Sequence, residues 1–356
     1  MEGERHYWPP ARPRANQALA AAAAVVALNC GAEPNKNHDA QAPQPNPLPG
    51  LLENISRRAM ALTCVPGQPG QIHDAHGHVS VAEGVGRVDE EEQQLFAMRL
   101  LDMMNELGIC VIILSPAHFE DTGIGMHLAQ ALDRILIKIK KAAGGRILYA
   151  VGGFTDKDLT TPDGRRMPGT SNSSDFFSRE DGNPVEYVER QFDDGADGAQ
   201  FNFQHAIRED VSFDPESEYT NRILGMMQER GVRLVLYQAA RHGVWEQACR
   251  LAEQYPDIFF LSELGIRNAD GTWEDPTCES DNVYYINFPR TAGALAGPIG
   301  KRLMGSDYTA GVSSESYLYD FADRARNGLG DLPELDAEKI RHGNLDGILK
   351  SIRMAE

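Results

Sequence analysis

No two of the five cysteines form a CxxC pair: Cys30, Cys64, Cys110, Cys249 and Cys278 lie far apart. That spacing excludes zinc-ribbon and thioredoxin-like readings. The odd count and the wide spacing argue against a disulfide framework. A single Cys64–Cys278 bridge is the one pairing left open to an exported chain, and Cys110, inside an apolar run, reads as a buried core thiol. Basic residues are also scarce, 34 against 52 acidic ones, for a net charge of −18. Such a field repels phosphate backbones and anionic lipid, so nucleic acid is excluded as a partner and charge alone gives no membrane attachment. The apolar stretch at residues 18–28 is too short to span a bilayer. No Gly-x-Gly-x-x-Gly turn follows the first strand pattern, which weighs against a dinucleotide-binding open sheet.

What the chain has is length and patterning. Its 356 residues, 42% of them hydrophobic, suffice for one large core. The first 70 residues do not read as domain. Arg12 and Arg14 precede the apolar stretch at 18–28, Cys30 follows at once, and residues 31–70 form a linker rich in Pro, Asn and Gln. The order of basic residues, apolar run, cysteine and polar tether resembles a bacterial lipoprotein signal, with residues 1–30 as the signal and Cys30 as the lipidated membrane tether. Asn29, where a small residue is usual, and Glu2 and Glu4 depart from that pattern. The alternative is an Ala-rich tail on a cytoplasmic protein.

From residue 71 to 356 strand and helix patterns alternate, which predicts a parallel sheet with crossover helices. Strands are expected at 71–76, 109–114, 146–151, 198–203, 232–238, 258–263, 283–288 and 302–304. Helices are expected at 90–107, 126–143, 185–193, 215–230 and 244–255, and a terminal helical region at 336–353. Residues 155–184, rich in Asp, Ser, Gly and Pro, read as a long loop. Eight units in the 286 residues from 71 to 356, against about 250 for a typical barrel, favour a closed (β/α)8 TIM barrel over an open sheet.

Active sites in such barrels lie at the C-terminal ends of the strands. His76 and His78 alternate to the same side at the end of strand one, where two imidazoles make the seed of a divalent metal site. Alone, an HxH pair is a weak signal. Asp307 follows strand eight, which closure returns beside strand one. It reads either as a third ligand or as a turn or N-cap aspartate after Gly-Ser. His73 alternates away from His76 and reads as structural.

Four stretches together resemble a known family: Ile72-His73-Asp74-Ala75-His76-Gly77-His78, Leu101-Asp102-Met103-Met104-Asn105-Glu106-Leu107-Gly108-Ile109, Arg302-Leu303-Met304-Gly305-Ser306-Asp307-Tyr308 and Ile340-Arg341-His342-Gly343-Asn344. Over residues 71–350 the chain resembles the amidohydrolase superfamily, in its amidohydrolase-related group that includes aminocarboxymuconate-semialdehyde decarboxylase. The resemblance implies a metal-dependent hydrolase-type barrel with His76, His78 and Asp307 as ligands and Asp307 as a proton carrier. The family usually has histidines at the ends of strands five and six; this chain has Gln238 and Glu263 there. Gln is a poor zinc ligand and Glu a competent one. Glu263 therefore reads as a ligand or catalytic base, or else as half of a structural ion pair with Arg267 or Arg290. His205, His242 and His118 are further rim candidates, as replacement ligands or as surface histidines.

The expected cofactor is one divalent ion, zinc by default, with manganese or iron fitting the same donors. The expected reaction is attack of metal-activated water on a small-molecule amide, ester or lactone. A decarboxylase on the same scaffold and a catalytically silent, exported ligand-binding barrel are the alternatives. The loop at 155–184 and the region of Trp273 are expected to shape the substrate.

Overall fold

The structure is a computed structural model, and it describes residues 50–65, 68–79, 89–116, 126–155, 184–202, 218–239, 242–264, 278–288, 297–310 and 315–353. Eight of its strands run β1 (Ile72–Val79), β2 (Ile109–Pro116), β3 (Ile147–Thr155), β4 (Gly198–Asn202), β5 (Leu234–Ala239), β6 (Phe259–Leu264), β7 (Val283–Asn287) and β8 (Arg302–Met304). Each pairs in parallel with the next. A ninth short strand, β9 (Tyr308–Ala310), pairs in parallel with β1. The circle therefore closes through one chain segment. Residues 302–304 bond to β7, residues 308–310 bond to β1, and the break between them, 305–307, contains Asp307. The expected closed barrel is the observed one.

Helices α2 (Glu90–Leu107), α3 (Met126–Ala142), α4 (Pro184–Asp194), α5 (Glu218–Glu229) and α6 (His242–Gln254) occupy the crossovers. Helix α2 shows how closely local chemistry sets such bounds. Asp89 caps it by accepting from the backbone N–H groups of Glu91 and Glu92, and Glu90–Glu92 complement the positive end of its dipole. Gly108, at φ 63°, ends it in the left-handed conformation that only glycine adopts cheaply. Among the described residues no helix is long and apolar enough to cross a membrane.

Two apolar layers result from the alternation of strand side chains. Val235, Tyr237, Phe260 and Tyr285 pack outward with the helices. Leu234, Leu236, Leu261, Ile286 and Leu303 fill the barrel interior. After β9 come α7 (Ser316–Asn327), α8 (Glu334–Glu338), a π-helical turn (Lys339–Gly343) and α9 (Asn344–Arg353). Leu345, Ile348 and Leu349 of α9 join the interior layer, so this helix plugs the end of the barrel where the strands begin.

Two sequence expectations are corrected here. The linker expected at 31–70 gives way to a helix, α1 (Leu51–Ala61), whose Leu51, Ile55 and Ala59 are buried. Their four-residue spacing is a helical signal that the flanking Pro and Asn masked. It is anchored by Ser56 Oγ donating to the Ala142 carbonyl at 2.9 Å and Asn105 Nδ2 donating to the Arg58 carbonyl at 3.0 Å. Second, Cys110 is no lone core thiol, and Cys278 is not the partner of Cys64: Cys64 and Cys110 form a disulfide, their Cα atoms 5.6 Å apart. Cys249 and Cys278 are free. The pairing follows from β1 lying beside β2, which brings the segment before β1 against the start of β2, a juxtaposition that the spacing of the cysteines does not report. Residues 1–49, including Cys30, lie outside the described residues.

Candidate metal centre

The end of β1 carries the site. His76 and His78 are buried, and their Nε2 atoms face one another at 2.8 Å. Asp307 Oδ1 stands 3.4 Å from His78 Nε2. Among the described residues these three form one group able to hold a metal ion, with all ligand atoms within 4.8 Å of one another. The sequence-predicted trio is thus brought together.

Three local devices build it. The His78 Nδ1 lies 3.2 Å from Ser115 Oγ, at the end of β2. The Ser115 hydroxyl also reaches the Gly77 carbonyl at 3.5 Å. With the hydroxyl proton directed at that carbonyl, its oxygen accepts from Nδ1–H, which leaves the Nε2 lone pair of His78 facing the site. Asp307 is held by its own backbone N–H, which donates to the His76 carbonyl at 3.0 Å. It is the one non-glycine residue with positive φ (53°) among the described residues. Aspartate tolerates that conformation better than most side chains, and the break in strand eight requires it. Gly305 completes the break: a Cβ there would sit 2.5 Å from Ile286 Cγ2 and 3.2 Å from the His76 Cβ.

Asp74 is the residue that sequence reasoning left without a role. Fully buried, its Oδ1 accepts from the backbone N–H of Ser306 at 2.9 Å and from that of His76 at 3.1 Å. Burial pushes its carboxyl up to about 6, against the opposing pull of those hydrogen bonds. Ser115 was missed as well. Signals existed for both: Asp74 stands two residues before His76, and Ser115 is the single polar residue in the run Ile109-Cys110-Val111-Ile112-Ile113-Leu114-Ser115.

The donor set fits a divalent ion. Two imidazole nitrogens converge, one with its tautomer fixed from behind, and a carboxylate oxygen lies beside them; without an ion the two Nε2 lone pairs must share a proton. Phe288 packs edge-on to His76, ring centres 6.0 Å apart, and walls one side with apolar surface.

The other candidates are placed only in part. Gln238 and Glu263 are register partners at the C-terminal ends of β5 and β6. They stand two residues beyond Leu236 and Leu261 of the interior layer. Their side chains, and that of His242 at the start of α6, lie outside the described residues, as do His205, His118, Arg267, Arg290, Trp273 and residues 156–183. His73 stands away from the pair: its Nε2 meets Asp346 Oδ1 at 2.9 Å near the opposite end of the barrel.

No protein-family model matches the chain, and no curated protein sequence is similar to it. Solved structures are. One is 4-oxalomesaconate hydratase LigJ from Rhodopseudomonas palustris, at 12% identity over 80% of this chain and 97% of that one, with a TM-score of 0.51. The comparison shows the fold. Two further similar structures are 5-carboxyvanillate decarboxylase LigW from Sphingomonas paucimobilis (11% identity, 79% of this chain, 99% of that one, TM-score 0.46) and dihydroorotase from Campylobacter jejuni (13%, 79%, 83%, 0.42). The barrel that the four sequence stretches imply is the barrel that the hydratase comparison supports.

Proposed function

We propose that the chain is a metal-dependent hydrolase of a small carbonyl compound, an amide, ester or lactone. It would hold one divalent ion on His76, His78 and Asp307, zinc by default, with manganese or iron suited to the same donors. The observation that carries this reading is the convergence of the two Nε2 atoms and the Asp307 carboxylate at the C-terminal end of β1. A bound divalent ion supplies Lewis-acid polarisation of a carbonyl and acidifies water.

The chain's own residues do the rest. Ser115 holds the His78 ring so that one nitrogen faces the site. Asp307, about half exposed, stands at the edge where substrate arrives and exchanges a proton with it. Phe288 and the buried faces of both imidazoles exclude water from one side. Glu263 joins the site from β6 as a further ligand or as the base, a role supported by its register position. Gln238, His205 and His242 are the substrate-side candidates.

Export belongs to the same proposal. Residues 1–30 act as a signal and Cys30 as the membrane tether. The Cys64–Cys110 disulfide supports this, because such bonds persist in oxidising compartments.

The test is turnover of a panel of lactones, esters and amides by the metal-loaded protein, with Asp307→Asn as control. Hydrolysis that Asp307→Asn lowers at least a hundredfold supports the reading. Carbon dioxide release from carboxylated substrates, without hydrolysis, reassigns the same donors to a decarboxylase. Ligand binding with no turnover and no metal reduces the chain to a silent barrel.

A further inference from the structure

At the end of the barrel opposite His76 and His78, a cavity of about 690 Å³ opens between α1, the starts of β1–β3, and α9. Its apolar wall includes Leu62, Val111, Leu349 and the Cys64–Cys110 disulfide, and its polar groups include Arg146 and Lys350. A volume of this size suits a small organic ligand rather than scattered water.

The charges are unbalanced. Arg146 is buried, yet among the described residues its guanidinium meets only neutral acceptors. Nε donates to the Cys110 carbonyl, Nη1 to the Ala59 carbonyl and Asn105 Oδ1, and Nη2 to the Ile109 carbonyl at 2.6 Å. Those bonds use four of its five N–H groups. Among the described residues no carboxylate pairs with Arg146 or with Lys350. The acid that does line the cavity, Asp346, is already engaged by two imidazoles, His73 Nε2 at 2.9 Å and His342 Nδ1 at 3.0 Å. A buried cation without a counter-charge is costly unless something supplies one. A ligand anion would do so.

We propose that this cavity is a second binding site, separate from the metal centre, for a small organic carboxylate with an apolar body. The carboxylate lies toward Arg146 and Lys350, and the apolar body against Leu62, Val111 and Leu349. The site is independent of the hydrolase reading, because none of its residues belongs to the metal centre. It also gives a purpose to α1 and to the disulfide, which together wall the cavity.

Gly347 offers a clean way to close it. This exposed residue of α9 lines the cavity, and a Cβ built on it meets nothing within 4 Å, so the backbone there accepts a side chain at the cavity's rim. Calorimetric titration of the full chain with 2-naphthoate tests the proposal. Expected is saturable binding at one site per chain, kept in His76→Ala, weakened at least tenfold in Gly347→Trp and in the exposed Lys350→Glu, and at least tenfold weaker for the uncharged 2-naphthylmethanol. Absence of saturable binding overturns it. So does binding lost in His76→Ala but kept in Gly347→Trp, which moves the ligand to the metal end, and so does equal binding of the alcohol, which removes the anion from the claim. If Gly347→Trp does not fold, Lys350→Glu alone decides.

Discussion

Asp74 and Ser306 lie 232 residues apart, yet the Asp74 carboxylate accepts the Ser306 backbone N–H at 2.9 Å. The same oxygen accepts from His76 N–H at 3.1 Å. One buried carboxylate on the first strand therefore fixes both the start of the histidine pair and the break in strand eight that presents Asp307. The three candidate metal donors come from the two ends of the barrel sequence, and Asp74 is the clasp that sets their spacing.

Removing that clasp has a defined cost. Asp74→Ala leaves two buried backbone N–H groups without an acceptor, at about 1–3 kcal/mol each. We expect Asp74→Ala to lower stability by a few kcal/mol and to weaken metal binding as Asp307 loses its position, whereas Asp74→Asn, which keeps the accepting oxygen, folds nearly as wild type. Denaturant unfolding with metal titration of both variants checks this. Equal stability of Asp74→Ala and wild type would remove the clasp.

Ser115 acts through His78. Ser115→Ala removes the partner of Nδ1, so the ring loses both its orientation and its fixed tautomer. Loss of such a supporting hydrogen bond typically lowers metal affinity about 10–100-fold. Competition with a chelator measures it, and an unchanged affinity would mean that His78 is oriented by its packing alone.

Asp133 on α3 predicts a pH effect far from the site. It is fully buried, hydrogen-bonded by the Tyr149 hydroxyl, and burial pushes its carboxyl up to about 7. Because the folded state binds this proton more tightly than the unfolded chain does, the contribution to stability is fully present below about pH 4 and is lost as pH rises toward 7. Above that, ionised Asp133 burdens the fold by a few kcal/mol in order of magnitude. Asp133→Asn, uncharged at every pH, is therefore expected to raise the thermal midpoint by several degrees at pH 8, with the gain shrinking toward pH 5. A gain independent of pH would refute the assignment.

Much of this architecture was legible in residues. Gly108 and Asp89 mark the ends of α2 by chemistry that acts within a few residues, and the apolar runs of β2, β5 and β6 mark buried parallel strands. That His76, His78 and Asp307 would meet was legible because barrel closure is a strong rule about which strand ends meet. What was not legible depends on contacts between distant segments. Helix α1 was hidden because its three buried residues, Leu51, Ile55 and Ala59, follow a Pro-rich stretch. The Cys64–Cys110 pair, the Ser115 contact and the Asp74 clasp all join separate segments of the chain, where sequence spacing carries no information. The splitting of strand eight into β8 and β9 was unreadable for a related reason: it is set by Asp307 adopting a left-handed backbone that no local pattern announces.

The cysteines give a simple count. In a Cys30→Ser variant purified from an oxidising compartment, thiol titration of the unfolded, unreduced chain should find two free thiols, Cys249 and Cys278, and four after reduction. Four thiols before reduction would contradict the Cys64–Cys110 bond; none would add a bond between Cys249 and Cys278.

If His76, His78 and Asp307 together hold one divalent ion, the metal content of the purified chain reports it. The chain is stripped with chelator, reloaded with zinc, desalted and analysed by mass spectrometry for bound metal, alongside His76→Ala and Asp307→Ala with circular dichroism to confirm their fold. Expected is about one ion per wild-type chain and a small fraction of that in both folded variants. Wild-type stoichiometry retained in folded His76→Ala, or no ion retained by the wild type after reloading with zinc, manganese or iron, would contradict it.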